Sequence, residues 1–552
     1  MLLPNSINEC IRISLMTHWN LAAMSDYELT TFHYKDVARK IEKLHILFEN
    51  AGINKGDKIA ICGRNQSNWA VAFLATLTYG AVVVPVLHEF LPEQIHDIVN
   101  HSEARLLFVG DIVWRKLDAE AMPALEGIVC NTDYSLLVSR SDRLTKAREN
   151  LNRIFCERFP NAFRPDLLRN YHEDTPEELA VINYTSGTTS NSKGVMIPYR
   201  ALWSNLKFAY EAFGLHAAEG EHMLSMLPLA HTFGMSFEFL YEFIQGVHVY
   251  FLTRMPTPSI VMKALAEVKP KAVICVPLII EKIVRKAIMP KLKKESVRLA
   301  MKMPVVGQKI KNRIREGLYN ALGGNAYEVI IGGSALNKEV ENILHEIGFN
   351  YTVGYGATEC SPIIAYEDWH NFVPGSCGKV VGRMEIVIDS DDPQNVPGEI
   401  LVRGMNVMLG YYKNEEATNE TLKAGWYHTG DLGIMDDNGN LFIKGRIKNL
   451  LLGASGQNIF PEEIEDKLNS LPLVAECVVV QRDEKLYGLV YPDQDQIKKL
   501  SLTDTDVKAI MDNNRKELNA MLPAYQQLYE ICIQQTEFEK TPKKSIKRYL
   551  YQ

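Results

Sequence analysis

INYTSGTTSNSKGV, residues 182–195, decides the reading of this chain: an apolar strand end empties into small hydroxyl and glycine residues and closes on a lysine. Residues 179–184 form the apolar run of a buried strand. Thr185, Ser186, Gly187, Thr188, Thr189, Ser190 and Ser192 then offer hydroxyls and unhindered amides ahead of Lys193 and Gly194. Glycine lets backbone approach a ligand closely, hydroxyls donate to phosphate oxygens, and an ammonium group neutralises charge that amides only partly offset. Such a loop suits a polyphosphate. It is not a Walker loop, which needs Gly-Lys-Ser/Thr, because Ser192 stands where the glycine before the lysine should be. Composition alone also allows a Ser/Thr-rich linker. Against that, the segment lies between a strand-like run and a helix-like run, with Pro198 opening a helix to about residue 213.

YTSGTTSNSKGV resembles the phosphate loop of the adenylate-forming superfamily, which contains acyl-CoA synthetases, luciferases and nonribosomal peptide adenylation domains. The resemblance extends over nearly the whole chain through several ordered motifs. It implies ATP, Mg²⁺ and coenzyme A as cofactor and co-substrates.

The length of 552 residues predicts two or more domains, and 46% hydrophobic with 23% charged residues is the composition of a soluble globular protein. A net charge of −7 argues against nucleic acid as the main partner. Nine scattered cysteines without C-x-x-C predict a reducing, cytoplasmic setting. The N-terminus carries Glu9 and no apolar core of signal-peptide length, so export is not expected. The most apolar run, 69–87, nearly reaches the length of a membrane span, but Gly80 and Pro85 break it into helix, turn and buried strand.

From residue 58 short apolar strands (59–63, 81–86, 105–110) alternate with helices (68–77, 92–100), the pattern of a parallel sheet covered on both faces. The fold class expected is α/β: a large N-terminal domain of doubly wound sheets over 1–445, with a β-rich subdomain at about 378–445, and a small α+β C-terminal domain over 446–552. Residues 111–175 read as less regular and mostly charged, with no chemistry legible in them. Strands at 222–228, 247–252 and 272–277 continue the alternation. Between Lys282 and Arg315 the chain is strongly basic, with Ile283, Ile288, Leu292 and Met301 interleaved. This is either a solvated helical face or a surface for peripheral contact with anionic lipid at the inner membrane face.

Two strands, 327–333 and 351–356, end in glycine-rich exits, which is where open α/β sheets bind ligands. A Gly-Tyr-Gly turn lays an aromatic ring beside a flat base, and a carboxylate just after it can hold Mg²⁺ against phosphate oxygens. By resemblance, Gly332, Gly333, Ser334, Tyr355 and Gly356 border the adenine, Thr358 contacts the α-phosphate and Glu359 is the metal ligand. Thr185, Ser186, Gly187, Thr188, Thr189 and Lys193 hold the phosphates. Asp431, in YHTGD, offers two oxygens to the ribose hydroxyls, and Arg446 reaches the same sugar. His231 lines the meeting point of acid and α-phosphate, and Met235 is a flexible wall of the acyl pocket. Lys448 stands at the family's hinge, with Gly456 and Gln457 in the loop that meets coenzyme A.

The C-terminus departs from the family pattern. Related enzymes place a lysine before an apolar residue, a variable one and arginine, but Ile546-Lys547-Arg548 puts Ser545 there, with Lys544 just before it. A slip of one residue would let Lys544 serve as the catalytic cation, with Lys547 a weaker candidate. The Gly-Tyr-Gly-Ala-Thr-Glu turn, VPLIIEKI and GASGQN resemble the bacterial long-chain fatty acid–CoA ligases most. The expected reaction is activation of a medium or long fatty acid to acyl-AMP, then transfer to coenzyme A. The alternatives are an acyl-AMP ligase that loads a carrier protein and a non-catalytic nucleotide- or lipid-binding homologue.

Overall fold

The computed structural model describes residues 3–185, 192–213, 218–292, 295–301, 303–452, 457–541 and 546–551. Its centre is an eight-stranded sheet in the order Gly410–Tyr411, Lys193–Pro198, Leu179–Thr185, Val82–Val86, Lys58–Cys62, Ala104–Val109, Gly127–Cys130 and Leu136–Ser139. The five central strands run parallel and the outer ones antiparallel. A second sheet pairs His222–Ser225, His248–Phe251, Ala22–Asp26 and Thr31–His33, and a third, all parallel, pairs Ala272–Cys275, Glu328–Ile331 and Tyr351–Val353.

The run of nearly membrane-span length is the middle of this core. Ser67–Tyr79 is a helix buried on every side through Thr78, Gly80 ends it in the left-handed region, and Val82–Val86 is a fully buried strand. A helix apolar all round needs cover all round. Trp69 stacks on Phe73, whose ring meets Phe239 edge-on at 5.9 Å. Each such side chain contributes about 1.5–3 kcal/mol when fully buried. Among the described residues, no helix is long and apolar enough to cross a membrane.

Four expectations are corrected. Residues 111–175 are ordered: strands Gly127–Cys130 and Leu136–Ser139 extend the main sheet, and helices Asp142–Glu149 and Leu151–Arg158 follow. The glycine- and hydroxyl-rich loop leads into a strand, Lys193–Pro198, and the helix Tyr199–Phe213 begins only after it. The run 351–356 splits at Gly354 into strands of two different sheets. Gly410–Tyr411 leaves the β-rich segment to edge the central sheet beside Lys193–Pro198.

The rest of that segment is antiparallel: Met384–Asp389, Gly398–Gly404, Trp426–Met435 and Leu422–Lys423, with Leu441–Arg446 also paired to Trp426–Met435. The smaller C-terminal domain has a three-stranded sheet, Val474–Arg482, Lys485–Pro492 and Leu528–Ile533, with helices Pro461–Asn469 and Asp504–Ala520. It keeps an apolar core of its own around Ile464, Leu468, Val479 and Leu518. Its contacts with the large domain include polar ones: Asn337 donates to Ser470 at 3.1 Å, and Lys444 lies 3.8 Å from Glu463.

Candidate active site

Thr185 ends one strand of an antiparallel pair and faces Lys193, the first residue of the other. The connecting residues 186–191, with Ser186, Gly187, Thr188 and Thr189, lie outside the described residues. Lys193 Nζ sits 4.7 Å from the ring centre of Tyr411, on the edge strand alongside. The Tyr411 hydroxyl donates to Glu359 Oε1 at 2.9 Å. One tyrosine thus spans from the cation that closes the loop to the carboxylate of the Ala-Thr-Glu turn.

Glu359 sits in the short helical turn Thr358–Cys360, and its carbonyl accepts from the Met408 amide at 2.8 Å. Thr358 is buried. The turn rests on the segment that carries His231 and Met235, because Ser236 Oγ donates to the Ser361 carbonyl at 3.2 Å.

That segment, 226–233, is held by three buried polar side chains. Glu238 Oε2 accepts from the Met226 and Leu227 amides at 3.0 and 2.9 Å and from Ser225 Oγ at 3.1 Å. Asn65 donates to the Leu227 carbonyl at 2.7 Å and accepts from the Leu229 amide at 3.0 Å. Asn183, two residues before Thr185, donates to the Ala230 carbonyl at 2.8 Å. The strand that ends at Thr185 and the loop with the histidine are therefore tied together by Asn183 and Ala230. His231 Nδ1 accepts from the Phe233 amide at 3.3 Å. Phe233 lies against Gly332, where a Cβ would come within 3.0 Å of its ring. Gly333 and Ser334 are exposed beyond it, and Met235 is fully buried in the main core.

On the opposite rim the Tyr355 hydroxyl donates to Asp431 Oδ2 at 2.6 Å, and Arg446 Nε lies 2.9 Å from Oδ1. Burial raises the Asp431 pKa, while Arg446 and the tyrosine hydroxyl oppose the shift. Each carboxylate oxygen has two lone pairs, so one on each remains for a sugar hydroxyl.

The phosphate-loop hairpin, the Glu359 turn and the His231 loop are thus linked through Tyr411, Asn183 and Ser236, and Asp431 with Arg446 lies near enough to feel the charge of Glu359. Residues 15–412 match the AMP-binding enzyme family and residues 448–551 the AMP-binding enzyme C-terminal domain. The chain belongs to the AMP-binding enzyme family. With the family comes the coarse class, an adenylate-forming acyl-CoA ligase. A long-chain-fatty-acid–CoA ligase of Mycobacterium bovis is 29% identical over 470 residues, covering 81% of this chain and 74% of the relative. The enzyme of that name from Escherichia coli O157:H7 is 28% identical over 477 residues, covering 80% and 78%. The crystal structure of an anthranilate CoA ligase in complex with anthranoyl-AMP superposes with a TM-score of 0.77 at 20% identity, covering 100% of this chain and 97% of that one.

In this AMP-binding enzyme, Lys448 is exposed in the turn Ile447–Asn449 that leads into the C-terminal domain. Gln457 is exposed just before the strand Asn458–Ile459, and Gly456 lies outside the described residues. So does Lys544. Lys547 Nζ is 3.4 Å from Glu539, and Arg548 pairs with Glu465, whose burial raises its pKa to about 7.

Asn65, Asn183, Glu238 and Tyr411 escaped the sequence reading. Glu238 alone carried a signal, a carboxylate inside the apolar run 233–241.

Proposed function

We propose that this enzyme activates a medium or long fatty acid with ATP to acyl-AMP, releases pyrophosphate, and passes the acyl group to coenzyme A. The observation that carries the reading is the convergence of Thr185, Lys193, Glu359 and His231 through Tyr411 and Asn183. Lys193 and the hydroxyls of the loop hold the polyphosphate, Thr358 the α-phosphate, and Asp431 with Arg446 the ribose. Gly332, Gly333, Ser334, Tyr355 and Gly356 border the base. His231 lines the meeting point of acid and α-phosphate and orients the carboxylate toward phosphorus.

Glu359 fits a Mg²⁺ site of the kind that shares its ligands with the nucleotide. Its Oε1 takes the tyrosine hydroxyl, its Oε2 has no partner among the described residues, and those residues hold no cluster of three or more metal-ligating side chains. Mg²⁺ commonly binds through one or two carboxylates plus phosphate oxygens. When bound it neutralises charge on the phosphates. The fatty-acid preference rests on the two ligases of that name.

The C-terminal domain closes on the cleft for adenylation and turns about Lys448 for thioester formation, bringing Gly456 and Gln457 to the coenzyme. Polar contacts such as Asn337–Ser470 and Lys444–Glu463 suit a boundary that opens. Lys544 supplies the cation at the α-phosphate during closure. The reading is checked by exchange of pyrophosphate into ATP across acids from acetate to oleate, then by thioester formation with coenzyme A. Exchange should rise with chain length, and Lys544→Ala should slow it far more than thioester formation from supplied acyl-AMP. Exchange without any acid dependence, or thioester formation only with a carrier protein's phosphopantetheine, overturns it.

A further inference from the structure

The segment 282–315 is absorbed by no step of the reaction. Its 34 residues hold 12 of the chain's 60 lysines and arginines and one of its 67 carboxylates, Glu295, in a molecule of net charge −7. A charge bias this local is a feature of one surface, not of the composition.

The structure gives that surface a shape. Helix Glu295–Met301 turns at Met303 into helix Pro304–Ala321, and the two run back on each other closely enough that a Cβ on Gly307 would lie 2.2 Å from the Met301 carbonyl. Glycine is what allows this approach. Around the bend four large apolar side chains face solvent: Leu299 at 71% exposure, Met303 at 54%, Val305 at 69% and Val306 at 43%. Just behind them Lys309 and Arg313 are exposed and enter no ion pair among the described residues. Lys311 and Arg315 stand on the same helix, Lys311 3.2 Å from Glu346. An apolar tip on a cationic shaft matches a phase whose surface is anionic and whose interior is apolar. Nucleic acid offers the anions without the interior, so it would leave the four apolar side chains as exposed as they are now.

We infer that the helical hairpin 295–321 is a docking element for an anionic lipid bilayer, its apolar bend entering the acyl boundary while Lys309, Arg313 and their neighbours lie at the headgroups. The inference stands independently of the reaction proposed above. Helix Pro304–Ala321 is followed in the chain by the strand Glu328–Ile331, whose end carries Gly332 and Gly333.

The test is co-sedimentation of the full-length protein with vesicles of phosphatidylcholine, with and without phosphatidylglycerol. Binding is expected only to the anionic vesicles, with a fall of tenfold or more between about 0.05 and about 0.5 M salt. Lys309→Gln with Arg313→Gln should weaken it about 25-fold, at about fivefold per cation. Val305→Ser with Val306→Ser should weaken it about tenfold, while circular dichroism and pyrophosphate exchange in solution stay as in the unmodified protein. The inference is overturned by absence of binding at low salt, by equal binding to neutral vesicles, or by serine variants that bind as well as the parent. It is equally overturned if RNA is retained more tightly than the anionic vesicles.

Discussion

The loop 226–233 and the group around Asp431 carry two parts of the proposed site, but they are built in opposite ways. The loop is fixed from beneath by Asn65, Asn183 and Glu238, all buried, which between them meet five backbone groups. The rim is held from the side by Tyr355 and by Arg446, whose side chain is 64% exposed and begins the passage to the C-terminal domain. Buried hydrogen bonds in a low dielectric fix a geometry before any ligand arrives, whereas a half-solvated pair can admit a ligand oxygen at little cost. The side that orients the acid is pre-set, and the side that receives the sugar is held so as to yield.

The largest expected effect falls on the fixed side. Glu238→Ala would strip the Met226 and Leu227 amides and Ser225 of their acceptor inside the core, at on the order of 4 kcal/mol in urea unfolding. Burial pushes the Glu238 pKa well above the usual carboxylate range, so a neutral isostere is expected to fit. Glu238→Gln should therefore cost less than about 1.5 kcal/mol. Equal losses for the two variants would mean that packing, not hydrogen bonding, fixes the His231 loop.

This contrast also marks what was legible in the sequence. Strands such as Lys58–Cys62 and Val82–Val86 were readable because both faces are covered and, after Lys58, every residue is apolar. The glycine exit at Gly332 was readable because it directly follows a buried apolar strand, Glu328–Ile331. Lys193–Pro198 was missed as a strand because Gly194 and Pro198 read as breakers; Pro198 is the last residue, where a missing amide matters little. Gly127–Cys130 and Leu136–Ser139 are four-residue strands between charged stretches, too short for a periodic signal. Asn65 and Asn183 carry no local signature at all, since their partners lie more than 40 residues away in sequence. Tyr411 acts through a strand pairing that composition does not announce.

On the yielding side the expected effect is smaller and of another kind. Asp431→Asn keeps the shape of the side chain but removes the charge facing Arg446. Since burial already raises the Asp431 pKa, the neutral residue should leave unfolding within about 1 kcal/mol of the parent. The kcat/KM for ATP should fall about 30-fold, on the order of 2 kcal/mol for hydrogen bonds to a charged acceptor. A variant that unfolds readily yet keeps its ATP dependence would show the rim to be a structural tie and erase the contrast.

The smallest effect separates two contributions of the residue that joins the halves. Tyr411→Phe removes the hydroxyl from Glu359 Oε1 but leaves a ring for Lys193, whose Nζ lies 4.7 Å from the centre in the parent. A single net hydrogen bond is about 1 kcal/mol, so acid-dependent exchange should slow about fivefold, with a higher Mg²⁺ concentration needed for half-maximal rate. Tyr411→Leu removes the ring as well and should cost a further 0.5–1 kcal/mol, roughly the size of a partly exposed cation–ring contact. If phenylalanine and leucine behave alike, the ring does not position the lysine. If phenylalanine behaves like the parent, Glu359 is oriented by its own turn, through the Met408 amide on its carbonyl, and the carboxylate belongs with the pre-set side of the cleft.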